Sequence, residues 1–551
     1  MLESASNVNP SQTVEIQFGP FVVEIEKDSG QLRYLRAGTT ELLRGIYGSV
    51  RRSDWGTVLP TISDFQLKRT ASSFTCTFTA LHEDGDVGFE WNGTIEAILT
   101  DATSATLLFQ MNGRGLREFK TNRTGLCVLQ PRSLQGQRVE VEHPDRECEI
   151  GQFPANVNPN NPYTDIKSLM YEAPDGSSLR TEFIGEEFEM EDQRNWSDPS
   201  FKTYCRPQKR GTPYSVQKEV PIRQAVKLTI HCNSKSIKSG IFDPNLVEAN
   251  AVMPQLGTLI SYPFTSETIG TLKKLDFRHV QATSDGLDSA QQLHIPVMLQ
   301  SKVANVPISL SPSDSILLSP PQDFEKLNQI RGAKRFVFSP GDFGDLNRNR
   351  PKTQYLAGDI QGVFFGMNPQ AHAFDTKTIL ESTWTLSDLV TSAKALGAKE
   401  VGVGPIQLRG WGTDPRMKGI ESALFTFAAL CHLSLANADY ATFFEASQLL
   451  ASPAHLIFSL LSPEQGTKVK IFHHEPTFVA WLGAKTVIAN LSWQPSETFK
   501  LLPIDSPENL AVGIKGSHRV FTSENIQNWQ AVAASHNPLT MMPPYSLVVV
   551  D

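Results

Sequence analysis

Two stretches of this 551-residue chain concentrate side chains able to move protons and grip oxygen. GDFGDLNRNRP supplies Asp342, Asp345, Asn347, Arg348, Asn349 and Arg350, and NPQAHAFDTKTILES supplies Asn368, Gln370, His372, Asp375 and Glu381. The unperturbed pKa of histidine lies near neutrality, so His372 fits a general base, with Asp375 or Glu381 to orient it. Arg348 and Arg350 present planar forks suited to an oxyanion or a carboxylate. Asn347, Asn368 and Gln370 are amides of the kind that pair with hydroxyls. GPIQLRGW adds Gln407 and Arg409, and ADYATFFEA delivers Glu445. Structural readings compete: Asp375 precedes a helix as a cap would, and the arginines would merely solvate a long loop. Taken together, these residue types describe a site that binds a polyol and transfers protons.

A third polar stretch, FEMEDQRNWSDPSFKTYCRP over 188–207, interrupts a region of strand-like alternation. Its Glu189, Glu191, Asp192, Arg194 and Trp196 either reach a substrate or form an ion-pair network that docks one domain on another, with Trp196 as the apolar anchor. Either way the segment is expected at an interface.

The elements that must position these residues change character twice along the chain. VEIQFGPFVVEIEK, SSFTCTFTAL, GFEWNGTIEAIL and ATLLFQM alternate with period two and are separated by turn clusters, and QAVKLTIHCN closes the series. This predicts a large β-sandwich over 13–235. The Asn- and Pro-rich loop GQFPANVNPNNPYTD within it is long enough to suggest a function of its own. From 250 to 450 eight apolar runs follow one another: LGTLIS, FRHVQAT, IPVMLQ, SILLSP, RFVFSP, GVFFGMNP, VGVGPI and ADYATFFEA. Helix-like segments join several of them, which predicts a compact (β/α)₈ TIM-like barrel with short connections after the third strand and before the sixth. KVKIFHH, TFVAWLGA, KTVIANLS and YSLVVVD then predict a C-terminal β-sandwich over 452–551. In a barrel, loops after successive parallel strands open on one end, so the NRNRP and HAFD loops should share a pocket.

Composition narrows the partners. A net charge of −8 argues against nucleic acid or an anionic membrane. No apolar run reaches the roughly 20 residues of a membrane span, and the N-terminal MLESASNVNPSQ lacks the look of a signal peptide. Six scattered cysteines without a CxxC pair fit free thiols in a reducing, cytoplasmic compartment.

Barrel glycosidases place two carboxylates after strands four and seven. Here Asp323 and Glu325 read as the first turn of a helix, and nothing acidic follows strand seven before Asp414. A glycoside hydrolase is therefore disfavoured. The segments NRTGLCVLQP (122–131), YTDIKSLMYEAPDG (163–176), FEMEDQRNWSDPSFKTYCRP, DLNRNRP and MNPQAHAFD instead resemble the D-apionate lactonase family. That resemblance implies the same three-domain layout and a sugar-lactone hydrolase of bacterial apiose catabolism, opening D-apionolactone or a similar aldonolactone. No Gly-x-Ser-x-Gly elbow is present, so water activated by a base suits the sequence better than a serine nucleophile. Assigned catalytic roles fall to His372, Asp375, Glu381 and Arg348. Substrate contacts fall to Asn347, Arg350, Asn368, Gln370, Glu189, Glu191, Arg194, Trp196 and Glu445. No cofactor is required, although a divalent metal held by His and carboxylates is an alternative. The partner is a small sugar lactone, and the alternative from another class is a non-catalytic carbohydrate-binding relative.

Overall fold

The computed structural model describes residues 12–233, 247–301, 314–318, 333–348, 360–409, 414–474, 478–492, 495 and 517–550, apart from positions 39, 146, 373, 538 and 540. The chain forms two compact units. Among the described residues, one comprises 12–193 and 199–233, and the other comprises those from 247 onward together with Arg194–Asp198.

The first unit is a sandwich of an eight-stranded and a nine-stranded sheet. Its strands form because apolar residues alternate with polar ones, burying one face. Along Ser73–Asp84, Phe74, Cys76, Phe78, Ala80 and His82 are buried while the intervening positions stay partly open. Side chains from both sheets merge into one core around Trp91, Phe78 and Phe109. Gly48 is required there, since a Cβ would lie 2.5 Å from the Trp91 ring. The loop of 153–167 is tied down by Phe153, which is fully buried against Tyr171 and Phe201.

The second unit holds a closed parallel barrel of eight strands. These are β1 (Gln255–Ile260), β2 (His279–Ala282), β3 (Val297–Ser301), β4 (Ser315–Leu318), β5 (Lys334–Ser339), β6 (Gly362–Met367), β7 (Glu400–Ile406) and β8 (Tyr440–Glu445). Each coincides with one of the eight apolar runs. Runs such as GVFFGM and YATFFE are buried at every position because one face lines the lumen and the other meets helices. The described helices are α1 (Ser266–Leu272), α2 (Leu287–Gln291), α3 (Phe343–Arg348), α4 (Thr376–Ser382), α5 (Thr385–Ala395), α6 (Ile420–Leu435), α7 (Ala446–Leu450) and α8 (Ala454–Leu461). The short connections expected after β3 and before β6 fall largely on 302–313 and 349–359, outside the described residues.

The C-terminal region differs from the expected sandwich. Among the described residues it is one antiparallel sheet of six strands, in the order Val247–Val252, Lys468–His474, Phe478–Leu482, Thr486–Asn490, Ser546–Val550 and His518–Phe521. Helix α6 packs against four of those strands, which supplies the apolar cover a second sheet would have given. That also explains why α6 is buried almost all round. Val247–Val252 precedes the barrel in sequence yet pairs with Lys468–His474, and α8 carries the helical layer past residue 452. A short apolar run such as LIFSLL does not distinguish helix from strand by periodicity.

Candidate active site at the barrel mouth

Arg194–Asp198 links two strands of the sandwich, Phe188–Asp192 and Ser200–Cys205, yet it belongs to the barrel unit. Its anchor is Arg194, whose side chain is wholly buried and pairs with Asp388 of α5 at 3.3 Å. Asn195 follows, accepting a hydrogen bond at 3.1 Å from the Asn347 amide on α3. Gly344 permits this approach, since a Cβ there would lie 3.0 Å from the Asn195 carbonyl oxygen. Trp196 then lies against two residues predicted for the site. The Arg348 guanidinium stands 4.2 Å from its ring centroid, and His372 meets it edge-on at 5.4 Å. Helix α3 follows β5, and the His372 loop follows β6, so both open at the C-terminal ends of adjacent strands. Asn347, Arg348, His372, Arg194 and Trp196 therefore gather in one place.

The His372 loop is held at both sides by a buried ion pair after β7. Asp414 takes the Arg416 Nε and Nη2 hydrogens at 2.8 Å each, and Arg416 Nη1 donates to the Phe374 carbonyl at 2.7 Å. Gln370 Nε2 donates to Asp414 Oδ2 and to the Leu408 carbonyl, both at 2.6 Å. Burial pushes the Asp414 carboxyl upward, but the hydrogen bonds and charge of Arg416 outweigh it and leave the group below its ordinary value. Both amide hydrogens of Gln370 are thus committed to the scaffold. The Asn368 side chain accepts the Gln370 N–H at 3.1 Å and shapes the same turn.

Asp375 caps α4: its Oδ1 accepts the Thr378 N–H at 2.9 Å and its Oδ2 the Thr378 hydroxyl at 2.8 Å. Glu381 is buried one turn further along α4. Glu445 ends β8 and caps α7 through Ser447. Glu189 and Glu191 lie in the sandwich unit, where Glu189 accepts the Tyr204 hydroxyl at 2.6 Å and Glu191 accepts the Gln193 amide at 2.9 Å. Arg350 lies outside the described residues. Among the described residues no three His, Cys, Asp or Glu side chains gather as a metal site. No described helix is long and apolar enough to cross a membrane.

One group at this mouth escaped assignment from sequence. Asp342 sits between β5 and α3, and its Oδ1 is buried with no hydrogen-bond partner among the described residues. Burial raises its pKa to about 7, against the Asn368 backbone amide, which lowers it, while the Asp345 charge raises it further. Its type and strand-end position were visible in GDFGDLNRNRP, but its burial was not.

A closed parallel barrel of eight strands with helices between them, and with polar residues gathered past its strand ends, defines the class of (β/α)₈ barrels, here in one chain with an N-terminal β-sandwich. Residues 1–233 match the family described as "D-apionate lactonase, N-terminal domain", and 339–413 match "D-apionate lactonase, TIM barrel domain". Together they span more than half of the sequence, and the chain belongs to the D-apionate lactonase family. The D-apionate lactonase of Brucella anthropi is 32% identical over 246 residues, which is 44% of this chain and 40% of that protein. The chain thus aligns with less than half the length of that relative. Among solved structures, a putative aldose 1-epimerase of Escherichia coli K12 is similar over 40% of this chain and 99% of its own, with a TM-score of 0.26 and 13% identity. A glucosidase from Croceicoccus marinus is similar over 55% of this chain and 96% of its own, with a TM-score of 0.34 and 8% identity.

Proposed function

We propose that this protein is a hydrolase that opens a sugar lactone, D-apionolactone or a close aldonolactone, to the free acid. The observation that carries the reading is the meeting of Arg348, Trp196 and His372 past β5 and β6, in a chain with both D-apionate lactonase domains. His372 takes a proton from water as the water oxygen bonds to the lactone carbonyl carbon. Arg348 stabilises the oxyanion so formed and later the carboxylate product. The ring C–O bond then breaks, and the departing alkoxide takes a proton from Asp342, a carboxyl at the mouth that burial brings near neutrality. Asn347 and Asn368 are assigned to substrate hydroxyls. Asp375 or Glu381 orients His372, Asp375 serving the α4 cap as well.

The test is acid release by purified protein on a panel of aldonolactones that includes D-apionolactone. One proton per lactone opened is expected, and His372→Ala should lower the rate by ~10²–10⁴-fold. Binding of the lactones without any turnover would replace this reading with a non-catalytic carbohydrate-binding protein.

A further inference from the structure

The direction of side chains inside the barrel can be followed through their contacts. His279 of β2 reaches across Gly257 to the Thr442 hydroxyl at 2.8 Å, and its ring meets Tyr440 edge-on at 5.5 Å. Tyr440 packs on Phe336 at 5.9 Å and Phe364 at 6.2 Å, which come from β5 and β6. All of these side chains therefore face the lumen. Gln281, two residues beyond His279, faces the lumen one layer nearer the mouth.

Gln281 is level with Leu259 of β1, and Leu259 is level with Glu445 of β8. Glu445 occupies that level through a bulge. Thr258 pairs with Phe443 and Leu259 with Glu445, while Phe444 between them takes a φ of 47° and is passed over. Phe443 points outward onto Phe458 of α8, at 5.5 Å. In a regular strand Glu445, two residues after Phe443, would point outward as Phe443 does; the bulge at Phe444 turns it inward.

Two polar groups thus share one level of the inner wall, two strand spacings or about 10 Å apart at the backbone. Gln281 is 0% exposed, and neither its Oε1 nor its Nε2 has a hydrogen-bond partner among the described residues. Glu445 Oε2 takes the Ser447 N–H at 2.8 Å and the Tyr262 hydroxyl at 3.3 Å, but its buried Oε1 takes nothing among the described residues. Buried amides and carboxylate oxygens are almost always paired, so both groups call for an occupant with hydrogens to give and a lone pair to receive.

We propose that Gln281 and Glu445 Oε1 form the floor of the binding site and grip hydroxyls of the sugar lactone, so that they select a polyhydroxylated lactone over a bare one. This rests on the lactonase reading and adds its specificity determinant. Gln281→Leu keeps the side chain's approximate shape and removes both polar atoms. Its KM for a polyhydroxylated aldonolactone should rise at least ~10-fold, while kcat/KM for unsubstituted γ-butyrolactone stays within about two-fold of wild type. Its Tm should not fall, because nothing in the free protein is left unpaired by the change. Equal losses on both substrates, an unchanged KM on the hydroxylated one, or a lowered Tm would each overturn the proposal, the last by making Gln281 the holder of a structural water. Should wild type hydrolyse no lactone, calorimetric titration with D-gluconate replaces the kinetic arm. Binding by wild type that Gln281→Leu loses supports the floor, and binding that is absent or unchanged overturns it.

Discussion

Trp196 is the residue on which the candidate site converges, because it touches both the group assigned to the oxyanion and the group assigned to the water. Its indole gives Arg348 a flat cationic rest and limits the swing of the imidazole. Trp196→Ala should lower kcat/KM at least ~10-fold through misplacement, with Trp196→Phe recovering much of it. Equal activity of the two variants in steady-state assays would remove Trp196 from the site. Asp342 makes a separate prediction about pH. Its folded pKa of about 7 lies above the ordinary carboxyl value of 3.8, so its contribution to stability is fully present below the lower value and is lost as pH rises through the upper. Asp342→Asn should therefore match wild type near pH 4 and exceed it by a few kcal/mol, on the order of 3, at pH 8. Denaturant titrations at the two pH values check this, and a constant difference would place the carboxyl in solvent. The same variant should lose the alkaline fall of kcat that follows deprotonation of the acid.

At the scale of elements, the loop carrying His372 is as well placed as the Asp414–Arg416 pair that holds it. Arg416→Met should cost ~3–5 kcal/mol in chemical denaturation, because it leaves a buried carboxylate without its cation. Asp414→Asn/Arg416→Met removes both charges and should recover much of that loss while still lowering turnover, since the Phe374 carbonyl stays unheld. A double variant no more stable than Arg416→Met alone would show that the pair's geometry matters more than its charge balance. The elements themselves were largely legible from sequence. All eight barrel strands stand out as apolar runs because burial on both faces removes polar residues from them. Asp375 followed by Thr376, Lys377 and Thr378 announced a cap as readily as a catalytic group, and its hydrogen bonds to Thr378 are those of a cap. The arrangement after β7 was not legible, since Asp414 and Arg416 draw their meaning from Gln370 and Phe374, about 40 residues away. Gln281 was equally hidden: a lone glutamine in FRHVQAT carries no sign of which way it points.

Across the whole molecule, each unit contains a histidine buried in its neutral form. In the sandwich, His82 Nδ1 donates to the Val58 carbonyl at 2.8 Å and Nε2 accepts the Trp91 indole N–H at 3.1 Å, so a second ring proton has no place to go. Burial lowers His82 to about 4 and His279, in the barrel, to about 3. Both folded values lie below the ordinary histidine value of 6.5, so the unfolded chain binds these protons first and stability falls as pH drops from 6.5 toward 4. Urea unfolding should register a loss of a few kcal/mol between pH 7 and 5, before most carboxylates protonate. A flat profile down to pH 4.5 would mean that both rings find acceptors when charged.

The membership of Arg194–Asp198 in the barrel unit also bears on how the protein is made. Ribosomes release the chain from the N-terminus, so Trp196 emerges long before Arg348 and His372 exist. The sandwich strands on either side of it in sequence are made before the barrel residues beside that indole exist. A barrel inherited by gene fusion from residue 244 onward would come without that tryptophan, and with an empty place beside the histidine. The two modules are therefore expected to travel together through evolution, because five residues of the barrel unit are encoded inside the sandwich.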